Sequence, residues 1–257
     1  MTKPRFLELD HATWRALYAA QREAIARSIH PLFARGLEAL GIGSDRIPEL
    51  AEVNRRLVDR TGFCGRYVEG FESPIEFFAM LADGEFPIGA FIRDARDLGY
   101  TPAPDVFHDL FGHLPFLADP EYAEFTREFG RQALDHRHDP KRLLEFDRVY
   151  WYSAEFGLIR TPEGLRILGA GLASSTKETV HALDGSARVF PFLLDRVRRR
   201  SFHIDRMQSS LFAFSSLDEL YRIPRELAAR FESTEVPCRR RRIPRVPAFS
   251  KTRSSSG

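Results

Sequence analysis

Apolar residues recur at helical spacing through most of the chain, and that recurrence predicts its elements. Trp14, Leu17, Tyr18, Ala24, Ile25, Ile29, Leu32, Phe33 and Leu37 mark one face of a single long amphipathic helix, capped by Asp10 and ended by Gly41-Ile-Gly. Leu50, Val53, Leu57 and Val58 predict a second helix from about Pro48 to Gly62. Between Phe63 and Phe71 the pattern becomes short, aromatic and glycine-punctuated, which predicts a brief strand and a turn. Ser73 and Pro74 then open a helix over 75–82, because a serine cap accepts an orphan N–H and proline at the first helical position has none to lose. An apolar segment from Phe86 to Arg93 follows. Further helices are predicted over about 120–134, from about Lys141 through Tyr150, after Ser174-Ser175 and over 217–231, with a turn at Thr161-Pro-Glu-Gly and a short strand over 165–168. Phe202-His-Ile-Asp and Leu211-Phe-Ala-Phe are two short apolar runs able to pair as strands. The pattern as a whole predicts a mostly α fold with a few short β-strands. It forms one domain over 1–236, and the Arg-, Pro- and Ser-rich segment 237–257 is read as a disordered tail.

Composition changes this picture little. With 38 basic against 36 acidic residues the formal net charge is only +2, so no global field points to nucleic acid. The basic excess is local: Arg196, Arg198, Arg199 and Arg200 form one cluster and Arg239 to Arg242 another, both read as solvated surface or tail. Cys64 and Cys238 are too few for a disulfide framework. No apolar run reaches the length of a membrane span and the first residues lack a signal-peptide core, so a cytoplasmic protein is expected.

Chemistry concentrates between Thr101 and Pro115. Pro102 and Pro104 hold the approach extended, and Asp105 caps the turn beside it. His108 and His113 follow. On an ideal α-helix, residues five apart point roughly 140° from one another. The spacing therefore predicts that His113 leaves the helix, with Gly112 allowing the exit and Pro115 preventing resumption. Two neutral imidazoles suit Fe, Zn, Ni or Cu, although a bare pair at this spacing is more often packed or solvent-facing. Downstream, Glu155 sits inside the aromatic and aliphatic run 149–159. A carboxylate buried there needs a positive partner or a proton. Iron held by His108, His113 and Glu155 satisfies both features with the donor set of non-heme Fe(II) oxygenases. A zinc hydrolase on the same ligands is a competing reading, but it needs a general acid or base that the surroundings of Glu155 do not supply. His136 and His138, in a polar break, are read as solvated and not as a second metal site.

The segments Thr101-Pro-Ala-Pro-Asp-Val-Phe-His-Asp-Leu-Phe-Gly-His, Tyr150-Trp-Tyr-Ser-Ala-Glu-Phe-Gly-Leu and Gly169-Ala-Gly-Leu-Ala-Ser-Ser resemble three signature blocks of the aromatic amino acid hydroxylases. These are the pterin-dependent monooxygenases of phenylalanine, tyrosine and tryptophan. The resemblance is closest to short bacterial phenylalanine 4-hydroxylases and runs from about His11 to about Leu220. It implies a helical basket around a central iron, with O2, a tetrahydropterin such as tetrahydrobiopterin and an aromatic amino acid as its small-molecule partners. Conversion of L-phenylalanine to L-tyrosine is the expected reaction. By the same resemblance, Arg93 pairs with the substrate carboxylate, Thr101 and Ser174 support that end, and Pro104, Trp151 and Phe156 enclose the ring. Phe77 stacks on the pterin, with Phe71 and Asp109 on the pterin side.

Departures from the family pattern bear on specificity. Trp151 is the residue type of phenylalanine and tyrosine hydroxylases and favours a single-ring substrate. Phe71 stands where phenylalanine hydroxylases carry Leu and tryptophan hydroxylases Tyr, and Ala154 replaces a commoner Val. Meta-tyrosine formation and tryptophan 5-hydroxylation therefore stay open, because methylene-scale contacts discriminate by only about 1–3 kcal/mol. A silent binding protein would not need His108, His113, Glu155, Arg93 and Ser174 together. The tetramerisation helix of animal relatives has no counterpart after Phe231, so a monomer is expected.

Overall fold

The long N-terminal amphipathic stretch folds as two helices instead of one. In the computed structural model, which describes residues 3–70, 72–96, 98–99, 103–204 and 206–232, α1 (Glu8–Arg27) and α2 (Pro31–Leu40) are separated at 28–30. Phe71, Thr101, Pro102, Cys238 and the segment 237–257 lie outside the described residues. Ile29 bridges to Ile167, the His30 side chain accepts the Leu32 N–H, and Pro31 occupies the first helical position. Helical periodicity runs across the break because both helices bury the same face in one core. Trp14 and Leu17 contribute from the first helix, and Leu32, Phe33 and Leu37 from the second. Asp10 lies inside the first turn of α1, not ahead of it, and its carboxylate reaches back to the Leu7 N–H.

After α3 (Leu50–Thr61), the chain forms a small β–α–β unit in which β1 (Cys64–Val68) and β2 (Glu85–Gly89) pair in parallel around α4 (Pro74–Asp83). Ser73 caps α4, as its sequence predicts, and the Glu76 carboxylate returns the bond to the Ser73 N–H, which was not predicted. The helices α5 (Leu114–Leu117), α6 (Pro120–Asp135) and α7 (Pro140–Tyr150) follow, with Phe129 of α6 stacked on Phe78 of α4. The strands β3 (Gly157–Thr161) and β4 (Gly164–Ile167) form an antiparallel hairpin. It is followed by α8 (Ala170–Ala173), α9 (Thr176–Leu183), β5 (Arg188–Pro191), α10 (Leu194–Val197), β6 (Ser210–Phe214) and α11 (Leu217–Glu232). The sheet order is β4-β3-β6-β5, with β6 parallel to both of its neighbours.

Leu211 to Phe214 thus form a strand, but one that pairs with β3 and β5 and not with Phe202-His-Ile. Every residue of β6 is buried, so it needs a neighbour on each side. His203 and Ile204 are exposed, which excludes them from such a strand. The segment 201–204 runs instead beside the functional site. The fold is mostly α with a few short strands, and no described helix is long and apolar enough to cross a membrane.

Candidate metal centre

His108 and His113 lie on a π-helical turn, Phe107–His113, in which the Leu114 N–H donates to the Asp109 carbonyl five residues back. An i→i+5 ladder brings residue i+5 one full turn round, so both imidazoles face one point without leaving the helix. The expected exit at Gly112 does not occur. α5 follows directly, with Pro115 in its first turn. Gly112 is small for another reason: a Cβ there would stand 3.0 Å from the Ala170 carbonyl oxygen and 3.3 Å from the Ser174 Cβ. On the opposite face of the turn, Phe107 and Phe111 stack at 4.5 Å, and Trp14, Tyr18 and Phe33 meet them edge-on. Full burial of each ring stabilises this anchor by about 1.5–3 kcal/mol.

The third ligand sits on a second wide turn. Trp151–Glu155 is also π-helical, closed by a 2.8 Å bond from the Phe156 N–H to the Trp151 carbonyl. Glu155 Oε1 lies 3.0 Å from His113 Nε2, Glu155 Oε2 lies 3.5 Å from His108 Nε2, and the two Nε2 atoms are 3.2 Å apart. Three lone-pair donors converging on one point require a cation or shared protons between them. Burial pushes the His108 pKa down to about 4 despite the nearby Glu155 carboxylate, so its imidazole is neutral at physiological pH. Burial alone would raise Glu155, but the two imidazoles and the Gly171 N–H bring its carboxyl below the usual range. A neutral imidazole and an ionised carboxylate are the states a divalent metal takes, and two nitrogens with one carboxylate fit iron(II). No second convergence of three metal-binding side chains occurs among the described residues.

Neighbouring groups fix each ligand. Ser174 Oγ lies 2.9 Å from His108 Nδ1, which orients the ring and leaves Nε2 for a metal. The Phe86 ring lies against His113 at 4.4 Å. Gly169 passes so close to Glu155 that a Cβ would stand 2.2 Å from the Glu155 carbonyl oxygen. Gly169→Ala must therefore displace the backbone of a ligand. We expect a destabilisation of about 1–3 kcal/mol, as for other overpacked sites, together with weaker iron retention in equilibrium dialysis. Wild-type retention in this variant would remove Gly169 from the description of the centre.

Two cavities meet at the triad, and His108, Glu155 and Pro104 border both. The larger, about 440 Å³, is walled by Arg93, Trp151, Phe156 and Ser174. Arg93 is 5 % exposed and held bidentately by Asp105, with Nε and Nη2 each 2.8 Å from a carboxylate oxygen, while Nη1 donates to the Leu98 carbonyl. Three of the five guanidinium N–H donors are thereby engaged, and two have no partner among the described residues. Asp105 also accepts the backbone N–H of His108, as a cap should, and that of Arg93. Burial alone would raise its pKa, but the Arg93 fork and these N–H groups hold the carboxyl below the usual range. The smaller cavity, about 130 Å³, is lined by Phe77, Phe86 and Asp109. Asp109 accepts the Gly89 N–H at 2.7 Å, and burial raises its pKa well above the usual carboxylate range.

Glu178, which borders the larger cavity, and Phe202, which backs Trp151, have roles that sequence reasoning missed. Phe202, read as part of a strand, stacks on Trp151 at 4.4 Å, and Trp151 stacks on Phe156 at 4.6 Å. Glu178, in the first turn of α9, gives its N–H to Ser175 Oγ. The residue also borders the cavity, and one of its carboxylate oxygens is buried with no hydrogen-bond partner among the described residues. Burial pushes its pKa up, against the pull of His181. The signal available in sequence was an acidic residue four positions after Ser174, in the block that packs on His108.

A largely buried two-histidine, one-carboxylate centre with an aromatic cavity on each side, set in a helical basket, defines a mononuclear non-heme metalloenzyme. Residues 3–235 match the family model of the biopterin-dependent aromatic amino acid hydroxylases, and the chain belongs to that family. Phenylalanine-4-hydroxylase of Caulobacter vibrioides is 38% identical over 232 residues, which cover 88% of this chain and 78% of that protein. The structure of Chromobacterium violaceum phenylalanine hydroxylase with bound iron(III) and oxidized 7,8-dihydrobiopterin matches with a TM-score of 0.84 at 35% identity, covering 91% of this chain and 86% of that one. The iron- and phenylalanine-bound structure of the same enzyme matches at 0.82 and 33%, covering 91% and 87%.

Proposed function

We propose that this chain hydroxylates L-phenylalanine to L-tyrosine with O2, using iron held by His108, His113 and Glu155 and a tetrahydropterin. The observation that carries the reading is the meeting of two cavities at the triad, one with a fixed arginine and stacked aromatic rings, the other with Phe77 and Asp109. A related enzyme binds phenylalanine with iron in one structure and dihydrobiopterin with iron in another. Iron and tetrahydropterin supply oxygen activation and the two electrons it requires.

The protein's own groups do the rest. The two remaining N–H donors of Arg93 receive the amino acid carboxylate, in a position Asp105 fixes. Glu178, with its unpartnered buried oxygen, receives the ammonium group. Trp151, stacked between Phe156 and Phe202, presents a bulky indole wall to the cavity, which supports phenylalanine over the larger tryptophan. Phe77 offers an aromatic face to the pterin. The same reading makes residues 1–236 the catalytic domain of a cytoplasmic monomer.

The test is product analysis after incubating the Fe(II)-loaded protein with O2, a tetrahydropterin and phenylalanine or tryptophan. Para-tyrosine, absent without pterin, is expected. Meta-tyrosine or 5-hydroxytryptophan as main product would overturn the specificity, and no product from either amino acid would overturn the reading. In the same assay Glu178→Gln is expected to raise KM for phenylalanine by about tenfold with little change in kcat, since one charge-assisted contact is lost. An unchanged KM would exclude Glu178 from amino-group binding.

A further inference from the structure

The segment that walls the aromatic cavity has a second face. Behind Tyr152 lies a separate cavity of about 700 Å³ lined by Arg196, Arg199, Arg200, His203 and Arg206, and no described residue of its lining is acidic. Arg198, between them in sequence, is neutralised by Glu145 and Asp195 at 2.6 and 2.9 Å. The four cavity arginines have no carboxylate partner among the described residues. The reading of this run as solvated surface suits Arg199 and fails for Arg200. That side chain is half-buried, donates from Nη2 to Ser210 Oγ, lies over the Phe212 ring at 5.9 Å and keeps a buried Nε with no partner among the described residues. Arg196 lies over the Phe190 ring at 5.1 Å. Aromatic faces hold guanidinium groups in place without neutralising them, so the concavity concentrates positive potential.

We propose that this cavity binds a small multivalent anion bearing phosphate or carboxylate groups, and that its occupation tunes the neighbouring amino acid site. Its volume falls within the range of about 300–1,000 Å³ typical of small-molecule sites, and planar guanidinium forks match the paired oxygens of either group. The coupling follows from shared walls. His203, Arg206 and Met207 border both cavities, Ser201 accepts the Tyr152 hydroxyl at 2.8 Å, and Phe202 stacks on Trp151. An anion gripped by Arg200 and Arg206 fixes the segment that positions Trp151. Coupling between two sites is reciprocal, so the amino acid must then change the anion's affinity by the same factor.

Calorimetry on the full chain tests the site without reference to catalysis. Tripolyphosphate, pyrophosphate, orthophosphate and citrate are titrated at constant ionic strength. Saturable 1:1 binding of tripolyphosphate or citrate, at least about tenfold tighter than orthophosphate, is expected, and the tighter of the two identifies the group recognised. Arg200→Gln should weaken it by about tenfold or more, while Arg222→Gln, on the exposed surface of α11, should leave it unchanged. Should Arg200→Gln not fold, the exposed pair Arg199→Gln and Arg206→Gln serves in its place. Absence of saturable binding, or binding unmoved by these changes, would overturn the site. The coupling rests on the proposed amino acid site. It is read as a shift of about threefold or more in the calorimetric Kd of phenylalanine when anion is saturating. An unshifted Kd with intact anion binding would overturn the coupling alone, and loss of phenylalanine binding in every condition would count against the hydroxylase reading instead.

Discussion

His113→Ala is expected to lose stoichiometric iron binding and, with it, hydroxylation. A bound metal contributes several kcal/mol to such a reaction, and about 1.4 kcal/mol corresponds to a tenfold change in rate. The loss should therefore be roughly a thousandfold or more. Two measurements separate the chemistry from the scaffold. Metal content after gel filtration reports the ligand, and thermal melting in chelator reports the fold. His113 packs against Phe86 in the core, so some destabilisation from the lost ring is expected in chelator as well. A variant that keeps one iron per chain and turns over at the wild-type rate would refute the assignment of His113, and with it the wide turn as the device that presents the pair.

The second large effect is expected at Asp105, which touches neither cavity's ligand in the proposed reading. Asp105→Asn removes the negative partner of a guanidinium that is itself almost wholly buried. Breaking a buried pair on one side costs about 3–5 kcal/mol. At about 2–4 °C per kcal/mol for a domain of this size, the melting temperature should fall by roughly 10 °C. KM for phenylalanine should rise, because the orientation of Arg93 is no longer enforced. The pH dependence has a definite sign. The folded-state pKa of Asp105 lies below its ordinary value, so its contribution is complete above that ordinary value and is lost as pH falls through the folded pKa. Wild-type melting in the Asn variant would show that Arg93 finds another anchor.

The contrast between these two residues shows what the sequence made legible. His108, His113 and Glu155 could be found because residue type, spacing and an apolar setting are local signals. The Ser73 cap of α4 was local too. Asp105 could be read as a cap, since the His108 N–H is three residues away, but its pairing with Arg93 depends on the turn that brings β2's exit back to the start of the π-helical segment. The wide turn itself was hidden. A spacing of five can be met by leaving a helix or by widening it, and here the burial of Phe107 and Phe111 on the opposite face favours widening. The break at 28–30 depends on Ile29 meeting Ile167 from a distant hairpin, and no periodicity within α1 and α2 records that. Phe202 was misread because an apolar run signals burial without saying whether a strand or an indole covers it.

Each of the two ligand-bearing turns can also be described as an α-helical ladder that has absorbed one additional residue. The surplus is taken up locally, so Leu114, Phe116 and Leu117 still face the core after the first turn. Helix phase is thereby uncoupled from ligand spacing: a chain shortened by one residue between His108 and His113 would regain i→i+4 bonding, keep the downstream core face and still present two imidazoles on one side. Length changes confined to these turns are read out as donor geometry at the metal, while the basket around them stays in register.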